Sequence, residues 1–278
     1  MNYKELWHLL APLYGDGEAK AIAQMVYEVR FGLSLSDIYL GKDTQLSADC
    51  QAEMQEIAER LLQNEPVQYV LGEAMFCGRS FHVEPGILIP RPETEHLCRL
   101  ITKQAANGSP IRTVLDIGRG SGCIAITLAL EIPPAQVTAW DISPVALHVA
   151  IDNAKRLGAK VKVVENDMLQ QTYRVTPKWD LIVSNPPYIC NSEADQMEAN
   201  VLDYEPETAL FVPDDNPLMF YIPIMNYAHS ALRPGGQLWL ETNPLYEKLI
   251  EKRLLELDFD ITAYDDQFGK TRFIQAIR

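Results

Sequence analysis

Residues 113–122 read T-V-L-D-I-G-R-G-S-G. A short β-branched and apolar run leads into glycines at 118, 120 and 122. Such a run reads as a buried strand. The glycines let the backbone turn tightly and approach a ligand. By itself G-x-G-x-G is a weak signal, one place short of the dinucleotide fingerprint G-x-G-x-x-G. The chain beyond it supplies the context. A helix is predicted over Ser121–Leu130, a strand over Val137–Asp141 and a helix over Pro144–Leu157. Strands follow at Val161–Glu165 and Trp179–Ser184, then a helix near 217–231 and a Pro-Gly-Gly turn. Strand Gln237–Glu241, a helix near 245–257 and strands near 259–264 and 272–277 complete the chain. This alternation predicts an α/β fold: a doubly wound, mostly parallel, seven-stranded sheet with helices on both faces.

Upstream the pattern changes. Ile22, Met25, Val26 and Val29 recur at helical spacing, and Gly32 can close that helix. Ser47 is a candidate N-cap for a second helix whose stripe is Met54, Ile57, Ala58 and Leu61. From Ala74 to Ile89 β-formers dominate, with turn signals at Gly78-Arg79 and Pro85-Gly86. The expected division is a helical docking domain over 1–72, a β-hairpin linker over 73–92 and a catalytic domain over 93–278.

The chain has 278 residues and a net charge of −14. Residues 1–75 carry 5 Lys and Arg against 12 Asp and Glu, so half of the excess lies in the first quarter. That balance argues against stable nucleic-acid binding, which rests on Lys and Arg contacts to phosphate. A solvated acidic face and a dock for a basic protein both remain open. Five scattered cysteines without a C-x-x-C pair suggest reduced thiols and a cytoplasmic protein, with no metal site. No apolar stretch is long enough to suggest a membrane span, and the first residues lack signal-peptide features.

Three loops at strand ends carry candidate ligand groups: Asp116 through Gly122, Asp141 and the pair Asp167-Met168. In such sheets ligands bind at the carboxyl ends of the strands. Asp141 suits the two hydroxyls of a ribose, Asp167 the amino group of adenine, and Met168 the ring face. Each acid alone is also an ordinary turn or capping residue. The fourth strand runs into V-S-N-P-P-Y-I (183–189). Proline fixes φ and removes a backbone donor, and it pushes the residue before it towards extended backbone. Asn185-Pro186-Pro187-Tyr188 is therefore a stiff exit holding an amide and an aromatic ring. Asn185 Oδ1 and the Pro186 carbonyl can together hold a planar –NH2 group, with Tyr188 against it. Asn185, Pro186 and Tyr188 are the candidate catalytic residues, and Asn185 to Tyr188 with Pro187 the candidate substrate clamp. A nicotinamide enzyme has no use for that clamp. S-adenosylmethionine carries no pyrophosphate, so the shorter glycine loop suits it.

With these residues identified, the chain resembles the class I S-adenosylmethionine methyltransferases, and more closely the release-factor glutamine methyltransferases. The resemblance covers nearly the whole chain. It is carried by P-V-Q-Y-V-L-G-E-A-M-F-C-G (66–78), I-L-I-P-R-P-E-T-E (87–95), L-D-I-G-R-G-S-G-C-I-A-I (115–126), N-P-P-Y-I (185–189) and Y-E-P-E-T-A-L (204–210). It implies methylation of the side-chain amide of the glutamine in the Gly-Gly-Gln motif of peptide chain release factors. It also implies S-adenosylmethionine as cofactor, held by Gly118, Arg119, Gly120, Ser121, Gly122, Asp141, Met168 and Asn185; Asp116 and Asp167 join these cofactor candidates from their places at strand ends. Two departures stand out: Arg119 replaces a small residue, and F-V-P-D-D-N-P-L (211–218) replaces a glycine-rich stretch. Arg119 can face solvent, pair with the cofactor's carboxylate or crowd the loop. Glu93 and Thr94 can approach the methionine end of the cofactor or serve only the start of a helix.

Asn-Pro-Pro-Tyr is shared with enzymes that methylate DNA adenine and ribosomal RNA, so a nucleic-acid amino-methyltransferase is the main alternative. A nicotinamide oxidoreductase and a binding module without turnover are two others. Gly235-Gly236-Gln237 repeats the expected target motif but reads as a turn between a helix and a strand.

Overall fold

The computed structural model describes every residue except Ser109, Arg119 and Arg174. The expectations for Arg119 therefore lie outside the described residues. The polypeptide forms two compact units, Met1–Glu73 with Glu198–Tyr204, and Ala74–Met197 with Glu205–Arg278.

The first unit is helical. Its first helix, α1 (Tyr3–Phe31), starts in a capping box between Asn2 and Glu5, breaks at Gly15 and ends at left-handed Gly32. Then come α2 (Leu35–Tyr39), α3 (Ala48–Leu62) and α4 (Val67–Leu71). Ser47 caps α3, as its sequence position predicts. Ile22, Val26, Met54, Ile57, Ala58 and Leu61 are buried together with Leu6, Leu10 and Tyr27. The chain returns to this unit at residues 198–204, where the Tyr204 hydroxyl donates to the Gln63 carbonyl at 2.8 Å.

The second unit opens with a hairpin of β1 (Glu73–Phe76), whose first residue is counted in the first unit, and β2 (Arg79–His82). The sheet and its helices follow: α5 (Pro92–Asn107), β3 (Thr113–Ile117), α6 (Cys123–Glu131), β4 (Gln136–Asp141), α7 (Pro144–Arg156), β5 (Val161–Glu165) and β6 (Trp179–Ser184). Short elements β7 (Ile189–Cys190), α8 (Ala199–Tyr204, in the first unit), α9 (Glu207–Leu210) and β8 (Phe211–Val212) come next. Last are α10 (Tyr221–Ala231), β9 (Leu232–Glu241), α11 (Glu247–Glu256), β10 (Asp260–Asp265) and β11 (Thr271–Ile277). Seven strands lie in the order β10-β11-β9-β6-β3-β4-β5. Those from β9 to β5 pair in parallel; β11 runs antiparallel to β9, and the edge strand β10 runs antiparallel to β11.

Both faces of the sheet are covered. Leu97, Ile101, Ile124 and Leu128 pack with Phe76, Phe81 and Val114 in one core. Tyr221, Ile224, Met225 and Ile250 pack with Leu115, Ile182 and Leu240 in the other. Because β3 is flanked by β4 on one side and β6 on the other, the connections diverge at its carboxyl end. That crevice is where a doubly wound sheet takes its ligand.

The Pro-Gly-Gly segment departs from its predicted place. Strand β9 starts directly after α10, with Leu232 opposite Trp179, and Gln237 comes next into register opposite Leu181. Residues 233–236 bulge out within the strand, tied to the chain end by Gly235 N–H donating to the Arg278 carbonyl and Arg278 N–H to the Gly236 carbonyl, at 2.8 and 3.0 Å. A side chain at Gly236 would meet the Arg233 carbonyl oxygen at 2.8 Å, so this bulge needs glycine. Gly-Gly-Gln here is a structural kink.

Candidate active site

A cavity of about 320 Å³ opens at the carboxyl ends of β3, β4 and β6 in the second unit. Of the expected cofactor residues, Gly118, Gly120, Ser121, Asp141, Asp167, Met168 and Asn185 line it. The two carboxylates both serve the turn or capping role that the sequence allowed. Asp141 accepts from the Gly120 and Ser143 amides at 3.1 and 2.9 Å, so it shapes the glycine loop from the end of β4. Asp167 accepts from the Leu169 amide at 2.9 Å and the Gln170 side chain at 2.7 Å, capping a short turn. A carboxylate has more acceptor sites than these bonds use, and both line the cavity.

Asp116 and Gly122 stand apart from the cavity wall. Asp116 is fully buried and accepts from the Ala125 amide at 3.1 Å, fastening β3 to the first turn of α6. At Gly122, φ is +82°, and an added Cβ would lie 3.1 Å from Ala150 Cβ and from Ile126 Cδ1. This glycine lets α6 approach α7. Gly120, by contrast, has φ of +50° and open space where a Cβ would sit. Of these two glycines, it is the one that leaves room for a ligand.

The opposite wall joins two segments more than 100 residues apart. Glu205, buried at the end of the acidic Y-E-P turn, accepts from the Ile89 amide at 3.0 Å and from the Arg91 guanidinium. The Ile-Pro-Arg strap is thereby held as one side of the cavity, with Pro206, Thr208 and Ala209 beside it. Glu205 and Arg91 were not singled out from sequence. The only available signal was that both stand in motifs carrying the family resemblance.

Asn185, Pro186 and Pro187 line the cavity from the end of β6. The Asn185 Nδ2 donates to Thr94 Oγ1 at 3.1 Å. Thr94, buried in the first turn of α5, donates in turn to Glu241 Oε2 at 2.8 Å. Tyr188 does not line the cavity. Its hydroxyl donates to Glu241 Oε1 at 3.1 Å, and its carbonyl accepts from Asn243 at 3.2 Å. Burial, and then the neighbouring Glu241 charge, hold its phenol well above the usual range. Glu241 itself, 1% exposed, is pushed by burial to about 7. Sequence reasoning missed Glu241, because nothing marks the last residue of a strand as the meeting point of α5 and the β6 loop.

A Rossmann-like sheet with glycine-loop and carboxylate walls and an Asn-Pro-Pro exit defines the class as a methyltransferase fold. Comparisons with known proteins agree. The methyltransferase small domain matches residues 94–203, and the PrmC N-terminal domain matches residues 9–72. The release factor glutamine methyltransferase of Bacteroides thetaiotaomicron is 46% identical over 272 residues, 97% of this chain and 96% of that one. That of Flavobacterium psychrophilum is 37% identical over 278 residues, 99% and 97% of the two chains. The solved T. thermophilus 16S rRNA N2 G1207 methyltransferase, in complex with AdoMet and guanosine, has a TM-score of 0.51 at 22% identity, covering 74% of this chain and 49% of that one, and shares the fold. The chain belongs to the release factor glutamine methyltransferase family. It is an S-adenosylmethionine-dependent methyltransferase. The site fits that cofactor: glycine backbone with open space at Gly120, an acid at each of two successive strand ends, and apolar Ile142, Met168 and Leu169 lining the same cavity.

Proposed function

We propose that this protein transfers a methyl group from S-adenosylmethionine to the side-chain amide nitrogen of the glutamine in the Gly-Gly-Gln motif of peptide chain release factors. The observation that carries this reading is the Asn185 amide at the cavity wall, with Nδ2 committed to Thr94. Its Oδ1 is then left to accept from an entering –NH2 group.

When bound, the cofactor supplies an electrophilic methyl on a sulfonium. Gly118, Gly120 and Ser121 would bed its amino-acid part, Asp141 its ribose hydroxyls and Asp167 with Met168 its adenine. Asn185 Oδ1 and the Pro186 carbonyl each accept one N–H of the glutamine amide. An amide nitrogen is a poor nucleophile because its lone pair is delocalised into the carbonyl. Fixing both N–H bonds aims that lone pair. Holding reacting groups in near-attack geometry is worth effective molarities up to roughly 10⁵–10⁸ M. Proline on both sides of the Pro186 carbonyl keeps the clamp stiff. Attack by the neutral amide nitrogen forms a cationic amide that carries the new methyl and both N–H protons; this cation is strongly acidic, so one proton leaves to solvent without a dedicated base. Pro187 bounds the substrate side, while Tyr188 acts from behind the loop.

Its partners on this reading are release factors, and its place is the cytoplasm with translation. No helix among the described residues is long and apolar enough to cross a membrane. The test is transfer of labelled methyl to a release factor, to its Gln→Ala variant in the Gly-Gly-Gln motif, and to nucleic acid. Label on the first alone is expected. Label on nucleic acid would mean that the clamp holds a base amino group and would overturn the reading.

A further inference from the structure

We propose that Glu241 is a positioning residue for methyl transfer: by taking the Thr94 hydroxyl proton, it holds the Asn185 amide with Nδ2 turned away and Oδ1 presented to the acceptor. This rests on the amide-clamp reading above and assigns the group that sets the clamp's polarity.

Glu241 ends β9 and its side chain is enclosed. Oε2 meets the Thr94 hydroxyl and Oε1 the Tyr188 hydroxyl. An ionised carboxylate only accepts, and a hydroxyl has one proton to give. Thr94 therefore spends its proton on Glu241 and turns lone pairs to Asn185. Only the Nδ2 end of the Asn185 amide can satisfy those lone pairs, so Oδ1 points elsewhere. A protonated Glu241 can donate to Thr94 instead. The Thr94 proton then turns to Asn185, whose amide must rotate to accept it. The clamp would then offer N–H to a substrate N–H, which repels it.

The charge is not needed for packing. A buried carboxylate costs free energy unless paired, and among the described residues no ion pair ends on Glu241. The groups facing it are Glu93 and Thr94 on α5, Tyr188 after β6, Tyr221 on α10, whose hydroxyl donates to the Glu241 carbonyl at 3.0 Å, and Arg272 on β11. Arg272 is held by Asp266 at 3.1 Å and reaches the Tyr188 oxygen at 3.4 Å. Burial raises the Glu241 carboxyl and Glu93 adds to that, while the hydroxyls and Arg272 oppose it. The balance leaves it titrating near neutrality, where loss of its proton sets Asn185 for reaction. Tyr188 thus takes part in catalysis by fixing the second oxygen of Glu241.

The experiment measures kcat and KM for a release factor, against pH, in wild type, Glu241→Gln, Thr94→Val and Thr94→Ser, with cofactor affinity by calorimetry. Wild-type kcat is expected to rise through an acid limb near pH 7. Glu241→Gln, whose amide donates to Thr94, should lower kcat about 10²-fold, the scale of a small misplacement of a reacting group. It should also abolish the limb and leave KM and cofactor affinity within about twofold. Thr94→Val should lose a similar factor and Thr94→Ser recover most of it. Glu241→Gln within threefold of wild type, a lost rate with the acid limb intact, or Thr94→Ser as slow as Thr94→Val would each overturn the proposal. If Glu241→Gln fails to fold, the wild-type limb and the two Thr94 variants decide. A wild type that methylates no release factor would instead sink the parent reading.

Discussion

Two glycines of one loop should fail in different ways. Gly122→Ala puts a methyl 3.1 Å from Ala150 Cβ and Ile126 Cδ1 and 3.3 Å from the Ala150 Cα, at φ +82°. The left-handed backbone costs an L-residue about 1–2 kcal/mol. Overpacking between α6 and α7 adds about 1–3 kcal/mol, because neither the Ala150 Cβ nor its backbone can swing aside. The expected destabilisation is therefore about 2–5 kcal/mol, or roughly 5–15 °C in Tm for a unit of this size. Gly120→Ala meets nothing within 4 Å, and its φ of +50° lies in the left-handed basin. It should lose only about 1–2 kcal/mol of stability. Its methyl projects into the open space of the loop, so cofactor affinity should drop at least tenfold. Urea unfolding gives the first quantity and titration calorimetry with S-adenosylmethionine the second. A Gly122→Ala protein that unfolds within a degree of wild type but binds cofactor poorly would refute the assignment of that glycine to helix packing.

Two further outcomes follow from the buried acids. Arg91→Met leaves the Glu205 carboxylate, with its side chain 1% exposed, on the Ile89 amide without its cation; breaking such a pair costs about 3–5 kcal/mol, and Arg91→Met with Glu205→Gln should recover part of it in urea unfolding, whereas equal loss in single and double variants would deny the coupling. Glu241 binds its proton more tightly in the folded chain, at about 7, than at its ordinary 4.5. Its contribution is therefore full below pH 4.5 and is lost as pH rises through 7, up to about 3 kcal/mol. Glu241→Gln should unfold at higher denaturant than wild type above pH 7 and near it at pH 4.5; a difference that does not change with pH would count against the raised carboxyl.

The same residue that favours catalysis when ionised thus weakens the fold when ionised. A buried charge is tolerated where it orients a reacting group, and here it lies one side chain behind the Asn-Pro-Pro loop.

What the sequence determined by itself was the periodic and local part. Strand and helix alternation along 113–277 encodes the parallel sheet, since each element's hydrophobic period is written in consecutive residues. Glycines at 118 and 120 and acids at 141 and 167 fall at strand ends, so the cavity's location followed from chain order alone. The Asn-Pro-Pro exit was legible because proline's stiffness is intrinsic to the residue. Tertiary structure alone decided what meets across sequence distance. Gly122 could be told from Gly120 only once Ala150 stood 3.1 Å from it. Tyr188 was expected in the clamp, and its direction depended on Glu241, 53 residues away. Residues 198–204 belong to the helical unit although the sheet's strands precede and follow them. Thr94 and Glu241 are 147 residues apart, and no period or motif spacing joins them. Periodicity reports which face of an element is buried, whereas a hydrogen-bonded chain of side chains exists only where three separate elements have packed.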